Sequence, residues 1–236
     1  MSKINIHYFL HSGFSVETTD CILIFDFYKE VLCNNENSTN LKQLLLKGKP
    51  AYVFVSHSHP DHFNKKILTL EDSNIKYIIS DDIKLKESKS NYTFVKKNDV
   101  FTLDNLAIKV FGSTDAGVSF LVSVDDFNIF HAGDLNWWHW KEDSDEDNLN
   151  AEKWFKEEIS LIKGEKIDLA FFPVDTRLEE NFYLGGKYFI ENVHVKYFIP
   201  MHIGNSSVAK VIEAFKNEIQ SSDVILIDAS EKDIEL

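Results

Sequence analysis

Three imidazoles and a carboxylate fall within six residues at His57-Ser58-His59-Pro60-Asp61-His62. Imidazole nitrogen and carboxylate oxygen suit zinc, and also iron or manganese. The cluster directly follows Ala51–Val55, an apolar run of the buried-strand type. Strand ends are where a rigid scaffold presents functional side chains. His57 and His59 are two apart, so in extended backbone they project to the same side. Pro60 turns the chain, so Asp61 and His62 can face another side. A metal site needs closure by further ligands. Two later segments offer them, Phe130-His131-Ala132-Gly133-Asp134 and Ile199-Pro200-Met201-His202, each an apolar run ending in a donor. One or two ions held this way would activate a water as hydroxide for attack on a carbonyl or phosphoryl centre. Asp61 or Asp134 would accept a proton or orient the nucleophile. No serine or cysteine nucleophile is needed, and the sequence has no Gly-x-Ser-x-Gly elbow.

The elements that must position these residues are read from periodicity. Strands are expected at Ile4–Leu10, Phe14–Glu17, Ile22–Phe27, Ala51–Val55, Ile75–Ile79, Tyr92–Val95, Leu106–Phe111, Val118–Val124, Asn128–His131 and Ile167–Phe172. Asp125-Asp126-Phe127 reads as a hairpin turn. Leu41–Leu46 suits one or two helical turns, and Asn150–Ile162 has helical spacing with Trp154, Ile159 and Ile162 near one face. Phe189–Val193, Val208–Ile219 and Val224–Ile227 complete an alternation of helix and strand. The acidic run Glu142–Asp147 reads as a solvated loop ahead of the Asn150 helix. Strands and helices are thus mixed through all 236 residues, with no composition shift to mark a boundary. The expectation is one α+β domain over 1–236, with two mixed β-sheets face to face and helices outside (an αββα sandwich).

A formal charge of −13 repels phosphate backbones and anionic headgroups. Neither nucleic acid nor a membrane is expected as a partner, and no apolar run reaches the length of a membrane span. The N-terminus lacks a signal-peptide core. Cys21 and Cys33 read as free thiols, which together with that start suggests the cytoplasm.

The order Asp26, H-S-H-P-D-H, H-A-G-D, P-M-H resembles the metallo-β-lactamase superfamily. Phe9-Leu10-His11-Ser12-Gly13-Phe14 followed by Ile22–Asp26 looks like the opening of its ascorbate-6-phosphate lactonase-like branch. The resemblance runs over roughly residues 4–204 and implies a metal-dependent hydrolase with the named fold. It implies that His57 and His59 hold one divalent metal, that Asp61, His62 and His202 hold a second, and that Asp134 bridges them. Zinc leads, with manganese or iron as alternatives. Asp26 would brace the histidine loop, and His11 would lie near the mouth.

The family supplies a further histidine to the first metal where this chain reads Phe111-Gly112-Ser113-Thr114-Asp115. Three outcomes are open. Asp115 replaces the imidazole, Ser113 or a water fills the gap, or only the second site is filled. A harder ligand set would favour manganese or iron. Beyond the Gly-Asp turn, Asn136-Trp137-Trp138-His139-Trp140 offers an aromatic wall such as Trp138, with Asn136 or His139 as polar contacts; two of the tryptophans could equally pack under the loop. Arg177 either orients an anionic group or pairs with Asp175, Glu179 or Glu180. The leading reading is a hydrolase acting on a small substrate, a lactone or phosphoester, with an anionic one allowed. A non-catalytic metal-binding or partner-binding protein with a degenerate site is the alternative. A di-iron redox enzyme is a third reading, but no flavin-binding segment is read in the chain.

Overall fold

A computed structural model describes residues 3–29, 40–70, 74–204, 206–219, 223–230 and 233–236; Cys33 lies outside them. The first half builds strands β1 (Asn5–Leu10), β2 (Gly13–Glu17), β3 (Ile22–Phe25), β4 (Ala51–Val55), β5 (Ile75–Ser80) and β6 (Tyr92–Val95), with helix α1 (Leu41–Leu45) before β4. A second series follows, β7 (Val100–Leu103), β8 (Leu106–Phe111), β9 (Ser119–Val124), β10 (Phe127–His131), β11 (Lys166–Pro173), β12 (His194–Met201) and β13 (Ile225–Leu226). Helices α2 (Asp145–Ile162), α3 (Leu184–Asn192) and α4 (Val208–Glu218) connect its later strands, and β14 (Ile234–Glu235) ends the chain. The strands form two seven-stranded mixed sheets, ordered β14-β1-β2-β3-β4-β5-β6 and β13-β12-β11-β10-β9-β8-β7. This is the α+β sandwich that the sequence predicts.

Aromatic side chains weld the two sheets. Phe14 of β2 stacks on Phe171 of β11 with centroids 4.3 Å apart, and Phe54 of β4 meets Phe120 of β9 edge-on at 5.2 Å. Such pairs add to the burial of large apolar surface. The central strands β3 and β4 are buried on both faces, which accounts for their unbroken apolar runs. Their outer face packs on Leu41 and Leu44 of α1 and on Ile67 and Phe63 of the following turn. Among the described residues no helix is long and apolar enough to cross a membrane.

Three local readings need correction. Helix α2 starts five residues earlier than expected: Ser144 caps it by accepting from Asp147 N at 3.1 Å, so Asp145, Glu146 and Asp147 form its first turn. Those carboxylates sit where the helix dipole favours them. Trp154 is not on the buried face of α2; it is 45% exposed, while Phe155, Ile159 and Ile162 are buried. Strand β7 was not expected, and it pairs with β8 across a turn at Asp104.

Parallel pairing decides where the chemistry lies. β3 and β4 run parallel, as do β10, β11 and β12. The C-terminal ends of each set therefore meet one edge of the sandwich, and Asp26, His57, Asp134, Asp175 and His202 all follow those ends. The approach between sheets is close. Gly117 (φ +68°) donates no side chain to a gap in which a Cβ would sit 1.9 Å from the Ser56 carbonyl oxygen and 2.6 Å from His57 Cβ. Val118 N uses that same carbonyl at 3.0 Å. Gly117→Ala combines left-handed backbone strain with overpacking. It should destabilise the fold by about 3 kcal/mol, or roughly 6–12 °C in Tm for a chain of this size. Thermal unfolding of the metal-free protein checks this, and an unchanged Tm would refute the close contact.

Candidate functional site

Asp26 anchors the site from below. It is fully buried at the end of β3, in a left-handed conformation with φ 43°. Its Oδ1 accepts from Ser56 N at 2.7 Å, and its Oδ2 accepts from Ser56 Oγ at 2.6 Å and His62 Nδ1 at 2.7 Å. Burial alone would raise its carboxyl, but the imidazole neighbours hold it below the ordinary range. A carboxylate only accepts, so Ser56 spends its proton on Asp26 and must accept from His57 Nδ1, 2.9 Å away. In their neutral forms His57 and His62 thus both carry their proton on Nδ1, and each turns an Nε2 lone pair toward Asp134.

His202 is braced the same way from the other sheet. Its Nδ1 lies 2.8 Å from Asp175 Oδ2, and Asp175 is itself buried and clamped by Arg177 Nε and backbone N. Asp175 is the functional neighbour that sequence reading assigned only as a partner of Arg177. The available signal was its place two residues past β11, beside the end of β12, where Pro173 pairs with Met201. His131, by contrast, is a strut: Nε2 donates to Ser12 O at 2.8 Å, Nδ1 accepts from Gly133 N at 3.2 Å, and the ring stacks on Phe25.

Asp134 stands at the centre. Its Oδ2 is 3.2 Å from His57 Nε2 and 3.8 Å from His59 Nδ1; its Oδ1 is 3.0 Å from His62 Nε2 and 3.4 Å from His202 Nε2. Yet His57 Nε2, His62 Nε2 and Asp134 Oδ1 are buried with no hydrogen-bond partner. Bare lone pairs converging without hydrogen bonds are costly unless a cation takes them. Burial would raise the Asp134 carboxyl, but His57 and His62 hold it far below the ordinary range. His62, between Asp26 and Asp134, is raised despite its burial, which marks a strong local demand for positive charge.

Two groups of donors could hold an ion: His57, His59 and Asp134, and then His11, Asp61, His62 and His202. A third cluster, Asp26 with His57 and His62, is spent on the bracing bonds just described. The donor set, imidazole with carboxylate, fits a divalent metal. Asp61 is half-exposed and its carboxyl is held low, first by His11. His11 is itself lowered by burial, against the pull of Asp61.

Beside these donors opens a cavity of about 720 Å³. Trp138 and Trp140 line it, their planes 5° from parallel, and Trp138 Nε1 donates to Asp134 O at 3.1 Å. Trp137 instead packs beneath, against Phe155 and Tyr188. Trp154 lines the cavity with Asp143 and Asp147, although the sequence reading set it near one helix face with Ile159 and Ile162. Asp115 reaches the cavity rim, 3.8 Å from His59 Nδ1, but does not join the donor group; Ser113 is buried and accepts from Asp115 N at 3.3 Å. Asn136 faces away: it is fully buried, its backbone N and O bond Thr114 Oγ1, and its amide oxygen fills the space over Gly185. His139 is not among the residues lining the cavity. Arg177 lines it while bonded to Asp175 and lying over Trp140.

The sequence model of the Beta-lactamase superfamily domain matches residues 5–149. No curated protein matches the chain. Igni18, a metallo hydrolase from Ignicoccus hospitalis, has a similar structure (TM-score 0.65, 16% identity, 99% of this chain and 98% of that one). YhfI, a metallo-β-lactamase fold protein from Bacillus subtilis, gives a TM-score of 0.60 at 11% identity over 100% of both chains. CmlA, a diiron β-hydroxylase from Streptomyces venezuelae, gives 0.64 at 8% identity, over 100% of this chain and 54% of that one. These likenesses establish the fold, and a domain match over more than half of the sequence establishes the family: the protein belongs to the metallo-β-lactamase superfamily.

Proposed function

We propose that this protein is a metal-dependent hydrolase of small lactones or phosphoesters, akin to the ascorbate-6-phosphate lactonase-like branch. The observation that carries the reading is Asp134, whose two oxygens face two histidine groups with bare nitrogens. His57, His59 and Asp134 would hold one divalent ion, and Asp61, His62 and His202 with Asp134 a second. Such ions, when bound, lower the pKa of a coordinated water to near neutrality. The remaining work falls to the chain. Asp61, half-exposed and held ionised, is placed to accept the proton released at the centre. Trp138 and Trp140 give a flat wall against which the unreactive part of the substrate lies. Arg177, neutralised in part by Asp175, orients a single anionic group without drawing in polyanions.

The test is removal and return of metal. A chelated sample should lose turnover of a panel of lactones, phosphomonoesters and phosphodiesters, and zinc or manganese should restore it. Rates indifferent to metal, or no turnover by loaded protein, would return the chain to the metal-binding or partner-binding alternative. Within that panel, Trp140→Ala should raise KM roughly fivefold for aromatic esters and leave kcat nearly unchanged, as loss of about 1 kcal/mol of uniform stacking predicts. A fall in kcat with KM constant would place Trp140 in the reaction itself.

A further inference from the structure

We infer that His11 is a metal ligand, so that the second cation position draws on three histidines beside its carboxylates and fills before the first. The inference rests on the metal-site reading above and adds a donor that reading leaves out. His11 sits in the turn between β1 and β2 with φ 59°, and His202 follows β12 with φ 62°. Left-handed backbone is uncommon outside glycine, and two such histidines facing one another mark a built geometry. They are tied directly: His202 N donates to His11 O at 3.3 Å, and His11 N is held by the Tyr8 hydroxyl at 2.8 Å.

The rings follow from that backbone. His11 and His202 have centroids 3.9 Å apart, and His11 meets His62 edge-on at 5.5 Å. His11 Nε2 is buried, lacks a hydrogen-bond partner, and lies 3.3 Å from Asp61 Oδ2. One donor atom from each of His11, Asp61, His62 and His202 lies within 4.8 Å of the others. Tetrahedral donors at about 2.1 Å from an ion stand roughly 3.4 Å apart, so small adjustments close this set. A substrate-binding histidine at the mouth would instead point its free nitrogen into the cavity, and His11 is not among the residues lining it.

The consequence is an imbalance. The first position has His57, His59 and Asp134, and Asp115 stands off at the rim. The second has four donors, with Asp134 Oδ1 beside two of them. A set with more neutral nitrogen donors binds borderline cations more tightly.

His11→Asn tests this, because asparagine tolerates left-handed backbone and removes the imidazole. Cobalt titration of metal-free protein, followed by calorimetry and visible absorption, should show the first equivalent weakened at least 10–100-fold, the loss that even an outer partner of a ligand causes. The second equivalent should be little changed. X-ray absorption of wild-type protein with one zinc equivalent should fit three imidazoles. Two imidazoles, or a first equivalent bound by His11→Asn as in wild type, would overturn the inference while leaving the metal reading intact. Failure of both wild type and His11→Asn to bind cobalt would instead remove the metal reading itself. If His11→Asn does not fold, the wild-type imidazole count decides alone.

Discussion

Asp134→Ala should reduce bound metal from two equivalents to one and lower kcat/KM by roughly 10³-fold or more. The carboxylate turns one oxygen toward each histidine set, at 3.2 Å from His57 Nε2 and 3.0 Å from His62 Nε2. Without it the first position keeps only His57 and His59, too few donors to close a site. The second position keeps its own histidines and Asp61, so one ion remains. Loss of a single preorganised oxyanion donor costs roughly 10²–10³-fold in other hydrolases, and here an entire cation goes with it. Elemental analysis after dialysis, read beside kinetics, distinguishes this from unfolding. Two retained ions would show that Asp134 does not join the two positions, and unchanged turnover would sink the catalytic assignment.

Much of this architecture is legible in the sequence because its signals are local. Ala51–Val55 is apolar throughout since β4 is covered on both faces, and its boundaries match the expected ones. The histidine-rich turn announces itself by residue type. The less legible parts depend on contacts between distant segments. Strand β7 has the exposure pattern of an edge, with Val100 71% exposed, so hydrophobic patterning is faint there. Its one local cue is the turn at Asp104, where φ is 52°. β14 is two residues long and exists because β1 offers it an edge.

The site shows the same division. The residues that could ligate were visible, but their braces were not all. Asp26 was named by resemblance, while Asp175 matters only because β11 and β12 run parallel and bring it to His202. Periodicity set Trp154 near one face with Ile159 and Ile162; the actual buried stripe turns through Phe155, and Trp154 lines the cavity. Asn136 illustrates the converse. A polar residue beside a Gly-Asp turn suggests substrate contact, yet Thr114 and Gly185 hold it behind the wall.

Asp26→Asn should lower metal affinity 10–100-fold, the cost of an altered outer partner, while destabilising the metal-free fold by only about 1–3 kcal/mol. The substitution is nearly isosteric, so the argument turns on protons. With its oxygen kept on Ser56 N, the new amide nitrogen replaces Oδ2 and donates where that atom accepted from Ser56 Oγ and His62 Nδ1. His62 must then accept at Nδ1 and carry its proton on Nε2, the atom that faces Asp134. Ser56, now receiving a proton, turns its own toward His57 Nδ1 and drives His57 into the same wrong tautomer. Flipping the amide spares both imidazoles but sets its NH₂ against Ser56 N–H in a buried site, which is costlier. Either way one carboxylate oxygen governs both histidines. Nitrogen-15 spectra of the metal-free imidazoles read the tautomers directly. Wild-type tautomers together with wild-type metal affinity in Asp26→Asn would show that the histidines need no such brace.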